Sequence, residues 1–189
     1  MRTTLIALVL SVVVSLDSSI RAEETEPAAP EFPQPTKEHE WLKQFEGEWE
    51  ATSKSIATPE QPAIECQATI NNRMLGGFWV VSESRGEVSG AKMLSIQQIG
   101  YDHKQKKYVG TWIDNVMNHL WHYEGTVDAS GKKLSLVAEG PNFMEGGKIT
   151  KFRDSYEFKS PDLIASTAEI LDEDGKWVTF MTGEAKRKK

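Results

Sequence analysis

From Trp49 to the C-terminus apolar and polar residues alternate, whereas before Gly47 the apolar positions recur at helical spacing. Trp41, Leu42 and Phe45 share one face of a short amphipathic helix of about two to three turns. Thr36 suits its N-cap, Glu38 lies in the first turn where it favours the helix dipole, and Gly47 can end it. The clearest alternation beyond is Thr150 to Phe158. There Phe152, Tyr156 and Phe158 share a parity with Asp154, while Lys151, Arg153 and Glu157 take the other. One face is aromatic and one is charged, as in a half-buried antiparallel strand. Ile164, Ser166, Ala168 and Ile170 repeat the pattern with smaller residues, and Trp49, Ala51 and Ser53 do so opposite Glu48, Glu50 and Lys54.

Turn residues separate these segments. Asp102-His103-Lys104-Gln105, Asp128-Ala129-Ser130-Gly131 and Asp172-Glu173-Asp174-Gly175 each lie between two alternating runs, and Gly76-Gly77 and Gly146-Gly147 mark two more bends. Asp bonds its own backbone and Gly accepts positive φ, so both suit tight connections. The pattern predicts about ten short-linked antiparallel strands. Such a meander hides its edges by closing, so the fold expected is an up-and-down β-barrel with one short N-terminal helix. A β-sandwich is the alternative, but it needs long crossovers that the short connections do not offer.

The first 22 residues read as a secretory signal peptide rather than as part of the fold. Arg2 precedes an apolar run from Leu5 to Leu16, and Ile20-Arg21-Ala22 offers a cleavage site. About a dozen apolar residues fall short of the roughly 20 that a membrane-spanning helix needs, and no later apolar run is longer. Residues 23–35, with Pro27, Pro30, Pro33 and Pro35 among Glu and Ala, read as an extended linker. Residues 36–189 then form the domain. The expectation is an exported protein, periplasmic or secreted. Removing the leader takes away Arg2, Arg21 and Asp17, which moves the net charge from −6 to −7. An acidic protein repels phosphate backbones, so nucleic acid is excluded as a partner. Cys66 is the single cysteine, so neither an internal disulfide nor a thiolate zinc site is available. It shares parity with Ile64, Ala68 and Ile70 and reads as an inert core thiol.

Several short motifs occur in a fixed order: Glu38-His39-Glu40-x-Leu42 running into Gly47-x-Trp49, then Leu75-Gly76-Gly77-Phe78, Gly100-Tyr101-Asp102, and Trp112-x-Asp114 followed by Gly125 and Asp128. Their order and spacing resemble the bacterial family called domain of unknown function 1579, over roughly residues 36–189. The resemblance implies a calycin-like or lipocalin-like barrel opening with a short helix; it implies no settled activity and no catalytic residues. After Trp112-Ile113-Asp114 the family pattern has a small hydroxyl residue, where this chain has Asn115.

The densest cluster of candidate chemistry is Trp112, Asp114, Asn115, His119, Trp121, His122 and Tyr123, on two successive strands and their connection. Aromatic walls with convergent polar groups suit a small-ligand pocket; packing aromatics with turn-capping polar residues are the plain alternative. Trp49, Phe152, Asp154 and Tyr156 join the candidates as inward positions. Asp154 interrupts an aromatic face, so it needs a partner such as a tyrosine, a backbone amide or a ligand. His119 and His122 are three apart, a spacing that points them to opposite faces of a strand, so no metal set is assigned. No cofactor is assigned either. A haem reading rests on His119 or His122, with Met93 or Met144 as remote alternatives, and no c-type attachment motif is present. There is no Gly-x-Ser-x-Gly elbow and no phosphate loop. Three readings stay open: a barrel binding a small apolar or amphipathic ligand, a small-molecule enzyme with a polar site at the barrel mouth, and a packed structural or protein-interaction module.

Overall fold

The computed structural model describes residues 32–57, 62–88, 90–142 and 145–189. The leader, the linker up to residue 31 and Met144 lie outside the described residues. Thr36 starts helix α1 (Lys37–Leu42), where His39 Nδ1 accepts the Thr36 backbone N–H at 3.0 Å and Thr36 Oγ1 donates to Glu38 at 2.7 Å. That hydroxyl bond holds the Glu38 carboxyl below the usual carboxylate range. A single 3₁₀ turn (Lys43–Phe45) continues to Gly47, whose φ of 116° only glycine adopts easily.

Ten antiparallel strands follow: β1 (Gly47–Ser55), β2 (Glu65–Leu75), β3 (Trp79–Val88), β4 (Ala91–Asp102), β5 (Lys107–Asp114), β6 (Trp121–Val127), β7 (Lys133–Asn142), β8 (Lys148–Ser160), β9 (Leu163–Leu171) and β10 (Trp177–Arg187). Each pairs with its sequence neighbour, and β1 also pairs with β10, which closes the barrel. The expected fold is therefore the observed one, and the sandwich alternative falls. No helix among the described residues is long and apolar enough to cross a membrane.

Register decides which side chains point inward. Trp49 pairs with Ile70, Ile70 with Ser84 and Ser84 with Ser95 on one side of the sheet, so period-2 alternation carries through β1 to β4. The same holds from Tyr108 through Gly125, Leu136 and Asp154 to Ala168. At one end these inward residues pack into a sealed base. Leu42 and Phe45 plug it and meet Trp49, Val80, Ile99, Tyr108, Leu134, Phe158 and Ile164, all buried. Polar bonds seat the plug. Trp41 Nε1 donates to Gly131 O at 2.7 Å, Tyr108 Oη to Glu38 O at 3.1 Å, and Trp49 Nε1 to Phe45 O at 2.7 Å. The guanidinium of Arg187 lies over the Trp49 ring, 4.1 Å from its centroid.

Gly125 illustrates how tightly the wall bends. A Cβ built there would lie 1.9 Å from Ser135 O and 2.9 Å from Leu136 Cα, both backbone atoms that cannot rotate away. Gly125→Ala is expected to cost about 2–3 kcal/mol of stability by denaturant titration; an unchanged midpoint would show that β6 and β7 have slack there.

Candidate functional site

Above the base the inner face changes character. Many inward side chains of β1, β2, β3, β9 and β10 are small, namely Ala51, Ser53, Ala68, Ser84, Gly86, Ser166, Ala168 and Gly183, with Ile170 and Met181 among the larger ones. Facing them, β5, β6 and β8 carry Trp112, Trp121, Tyr123, Phe152 and Tyr156. Small residues thus stand opposite an aromatic wall across the middle of the barrel. The exposure pattern agrees. Trp112, Asp114, Phe152, Asp154, Tyr156, Ala168 and Met181 all point inward, yet each keeps solvent-accessible surface, whereas a packed barrel would bury them. The barrel interior above the closed floor, its lumen, is thus walled on one side by aromatics.

Polar groups in this lumen are few and paired. Tyr123 Oη donates to Asp154 Oδ2 at 2.6 Å, which supplies the tyrosine partner that Asp154 requires. Burial raises the Asp154 carboxyl to about 6, and this hydrogen bond only partly offsets it. Burial and the nearby Asp154 charge push the Tyr123 phenol upward, so it stays a donor. Across the barrel Tyr156 Oη lies 3.2 Å from Gln97 Nε2, and burial also raises its phenol. Trp112 Nε1 donates to Asp114 Oδ2 at 3.0 Å, while Asp114 Oδ1 accepts the backbone N–H groups of Val116 and Met117, both at 2.7 Å. Asp114 thereby ties the lumen wall to the β5–β6 connection. Near the floor Asn72 donates through Nδ2 to Phe45 O at 2.9 Å, but its buried Oδ1 has no hydrogen-bond partner.

The structure sorts the candidates read from the sequence. Trp112, Asp114, Tyr123, Phe152, Asp154 and Tyr156 converge on the lumen, with buried Trp121 behind Phe152 at a ring distance of 5.1 Å. Four others do not face it. Trp49 is 0% exposed, because the helix plug and Arg187 cover it in the base. His122 is exposed on the outer face, since alternation places it between inward Trp121 and Tyr123. Asn115 pins the end of β5 to β4, accepting the Leu94 N–H at 2.8 Å and donating to Lys92 O at 3.1 Å. His119 sits in the β5–β6 connection, its ring 4.8 Å from Trp121 and its Nε2 3.1 Å from Glu139 O. Cys66 is half-buried on the inner face near the mouth.

Sequence reasoning missed Asn72 and Gln97. Both share parity with apolar inward neighbours, Ile70 and Met74 for the first and Ile99 for the second, and that signal was available. It also missed Phe180. A bulge between Thr179 and Met181 turns this ring toward Phe152, 6.1 Å away. A separate depression of about 830 Å³ lies against β1–β4. Outward side chains such as Glu50, Gln67, Arg85 and Lys92 line it together with Ala51, Ala68, Gly86 and Met93, and none of the aromatic wall residues reaches it.

A sequence profile described as "Protein of unknown function (DUF1579)" matches residues 34–187. The chain belongs to this family. No curated protein matches this DUF1579 chain in sequence. Among solved structures it is similar to Rv2717c from M. tuberculosis, with a TM-score of 0.59 and 10% identity over 82% of this chain and 100% of that one. It is also similar to the S-type phycobiliprotein lyase CPES from Guillardia theta, with a TM-score of 0.52 and 15% identity over 83% of this chain and 99% of that one. At these identities the likeness concerns the barrel fold alone.

Proposed function

We propose that this DUF1579 protein is an exported carrier or receptor whose barrel lumen holds a small molecule with a substantial apolar part. The observation that carries this reading is the mismatch across the lumen, with small side chains on one wall facing Trp112, Phe152 and Tyr156 on the other. A barrel selected only for packing fills such a gap with side chains, since unfilled volume costs about 1 kcal/mol for each methyl-sized void. Trp112, Tyr123, Asp154 and Tyr156, whose polar atoms are fixed by named partners, fit the pattern of ligand pockets: apolar walls with sparse, fixed polar contacts.

Ala168 sits opposite Asp154 in the β8–β9 register. Ala168→Phe is therefore expected to fill the lumen and abolish the change in Trp112 and Trp121 emission and the binding heat produced by dodecanol, with the melting temperature held or raised. An equal response in the variant and the parent, or none in the parent, refutes the reading. Export is a separate part of the proposal and rests on the leader alone. Protein recovered from the cell envelope or medium is expected to begin at Glu23; an intact Met1 there would contradict cleavage.

A further inference from the structure

We propose that the lumen selects molecules carrying a protonated amine on an apolar body, an inference that rests on the lumen being a binding site at all. Inward charge in the described strands is one-sided. Asp114 and Asp154 face the lumen, and no histidine occupies an inward register position. Lys148 shares the parity of Asp154 at the far end of β8, but its ammonium is exposed and pairs with Glu173 in the β9–β10 connection at 3.1 Å. Arg187, the other inward cation, lies in the base over Trp49, with its donors engaged by Gln44, Glu46 and Pro161 carbonyls.

Hydrogen-bond capacity is one-sided as well. The donors of Trp112, Tyr123, Gln97 and Asn72 already have partners. Besides serine hydroxyls such as those of Ser53, Ser84 and Ser166, which can donate or accept, what is left over accepts. The Tyr123 hydroxyl is the one hydrogen-bond donor to Asp154 among the described residues, although a carboxylate offers about four lone-pair sites. Asn72, only 6% exposed, has an unpartnered Oδ1 on the same inner face. It lies two strands from Gln97, which reaches Tyr156, the inward neighbour of Asp154 on β8.

A ligand entering this space must bring donors. A carboxylate or phosphate would meet aromatic faces and two acids, with only neutral serine hydroxyls as donors and no cation beside Asp154. An ammonium group meets the opposite: a carboxylate to pair with, plus aromatic rings whose negative faces attract cations. The buried carboxylate is costly to ionise alone, and a cation beside it offsets that cost.

The test uses the purified chain and three probes of equal length, dodecylamine, dodecanol and dodecanoate, read by calorimetry and by the shift of tryptophan emission at about pH 8, where the Asp154 carboxyl is ionised. Dodecylamine is expected to bind at least about tenfold tighter than dodecanol, with dodecanoate weakest. Asp154→Asn keeps an acceptor for Tyr123 and is expected to erase the amine advantage over dodecanol. If dodecanol matches dodecylamine, or dodecanoate binds best, the amine inference fails and the binding lumen stands. If none of the three binds, the lumen reading fails and the inference with it. Should Asp154→Asn also lose dodecanol, the parent decides through pH. Around Asp154 lie Tyr123 from β6, Tyr156 on β8 and Asp114 from β5, with Leu136 and Ala168 beside it in register. Of these groups Asp154 is the one raised into the mildly acidic range, to about 6. The amine advantage therefore falls by at least about tenfold between about pH 8 and pH 4.5 if the inference holds, and persists if it is wrong.

Discussion

Arg187→Ala is expected to lower stability by about 3–4 kcal/mol, which for a domain of this size shifts the melting temperature down by about 10 °C. The reason lies in how the barrel closes. Its first and last strands, β1 and β10, pair side by side, and Trp49 stands opposite Arg187 in that register. The guanidinium covers the indole and donates to Gln44 O at 2.9 Å, Pro161 O at 2.9 Å and Asp162 Oδ1 at 3.1 Å, with a further bond to Glu46 O. One side chain thus joins the helix plug, the β8–β9 turn and the closing seam. Alanine would leave the carbonyls without these bonds and open one face of the Trp49 ring. Arg187→Lys should recover only a minor part, because an ammonium cannot fork across several acceptors. A change below about 2 °C in Arg187→Ala would show that the plug is held by apolar packing alone.

The second large effect concerns pH. An ordinary aspartate titrates near 3.9 when unfolded, and burial raises Asp154 to about 6 in the folded barrel. Between those values the folded state binds more protons than the unfolded one. Stability therefore falls as pH rises through this window, by up to about 3 kcal/mol, and the loss is complete above the folded value. Asn at this position carries no such penalty. The difference in unfolding free energy between Asp154→Asn and the parent should be near zero at about pH 4 and favour the variant by up to about 3 kcal/mol at about pH 8. Glu38, Asp102, Asp128 and Glu169 shift the opposite way through their hydrogen bonds, but they are common to both proteins and cancel. Parallel pH profiles would mean that the folded barrel hydrates Asp154 well enough to leave it an ordinary carboxyl.

The barrel was legible because its inner and outer faces differ so sharply along each strand. Phe152, Tyr156 and Phe158 against Lys151, Arg153 and Glu157 leave one register that buries the rings, and β8 adopts it. Turn chemistry fixed the meander, and Asp128 and Asp172 take the backbone bonds expected of turn aspartates. The site was only half legible. Parity placed Asp154 and Tyr156 inside, and proximity in sequence suggested Tyr123, but pairing between β6 and β8 depends on side chains meeting across β7. His122 looked attractive because it stands between aromatics; the same alternation that directs Trp121 and Tyr123 inward directs it out. The lumen itself was not legible. Its existence depends on Ala68, Ser84 and Ala168 facing the aromatics across a closed barrel, and no single segment carries that relation.

The most direct measurement is a high-resolution crystal structure of the chain grown with dodecylamine. The account predicts ligand density above Phe45 and Tyr156, held between the small wall and Trp112 and Phe152, with its nitrogen about 3 Å from Asp154. A barrel interior closed by Met93, Phe180 and Met181 side chains, with no space for solvent or ligand beside Asp154, would contradict it.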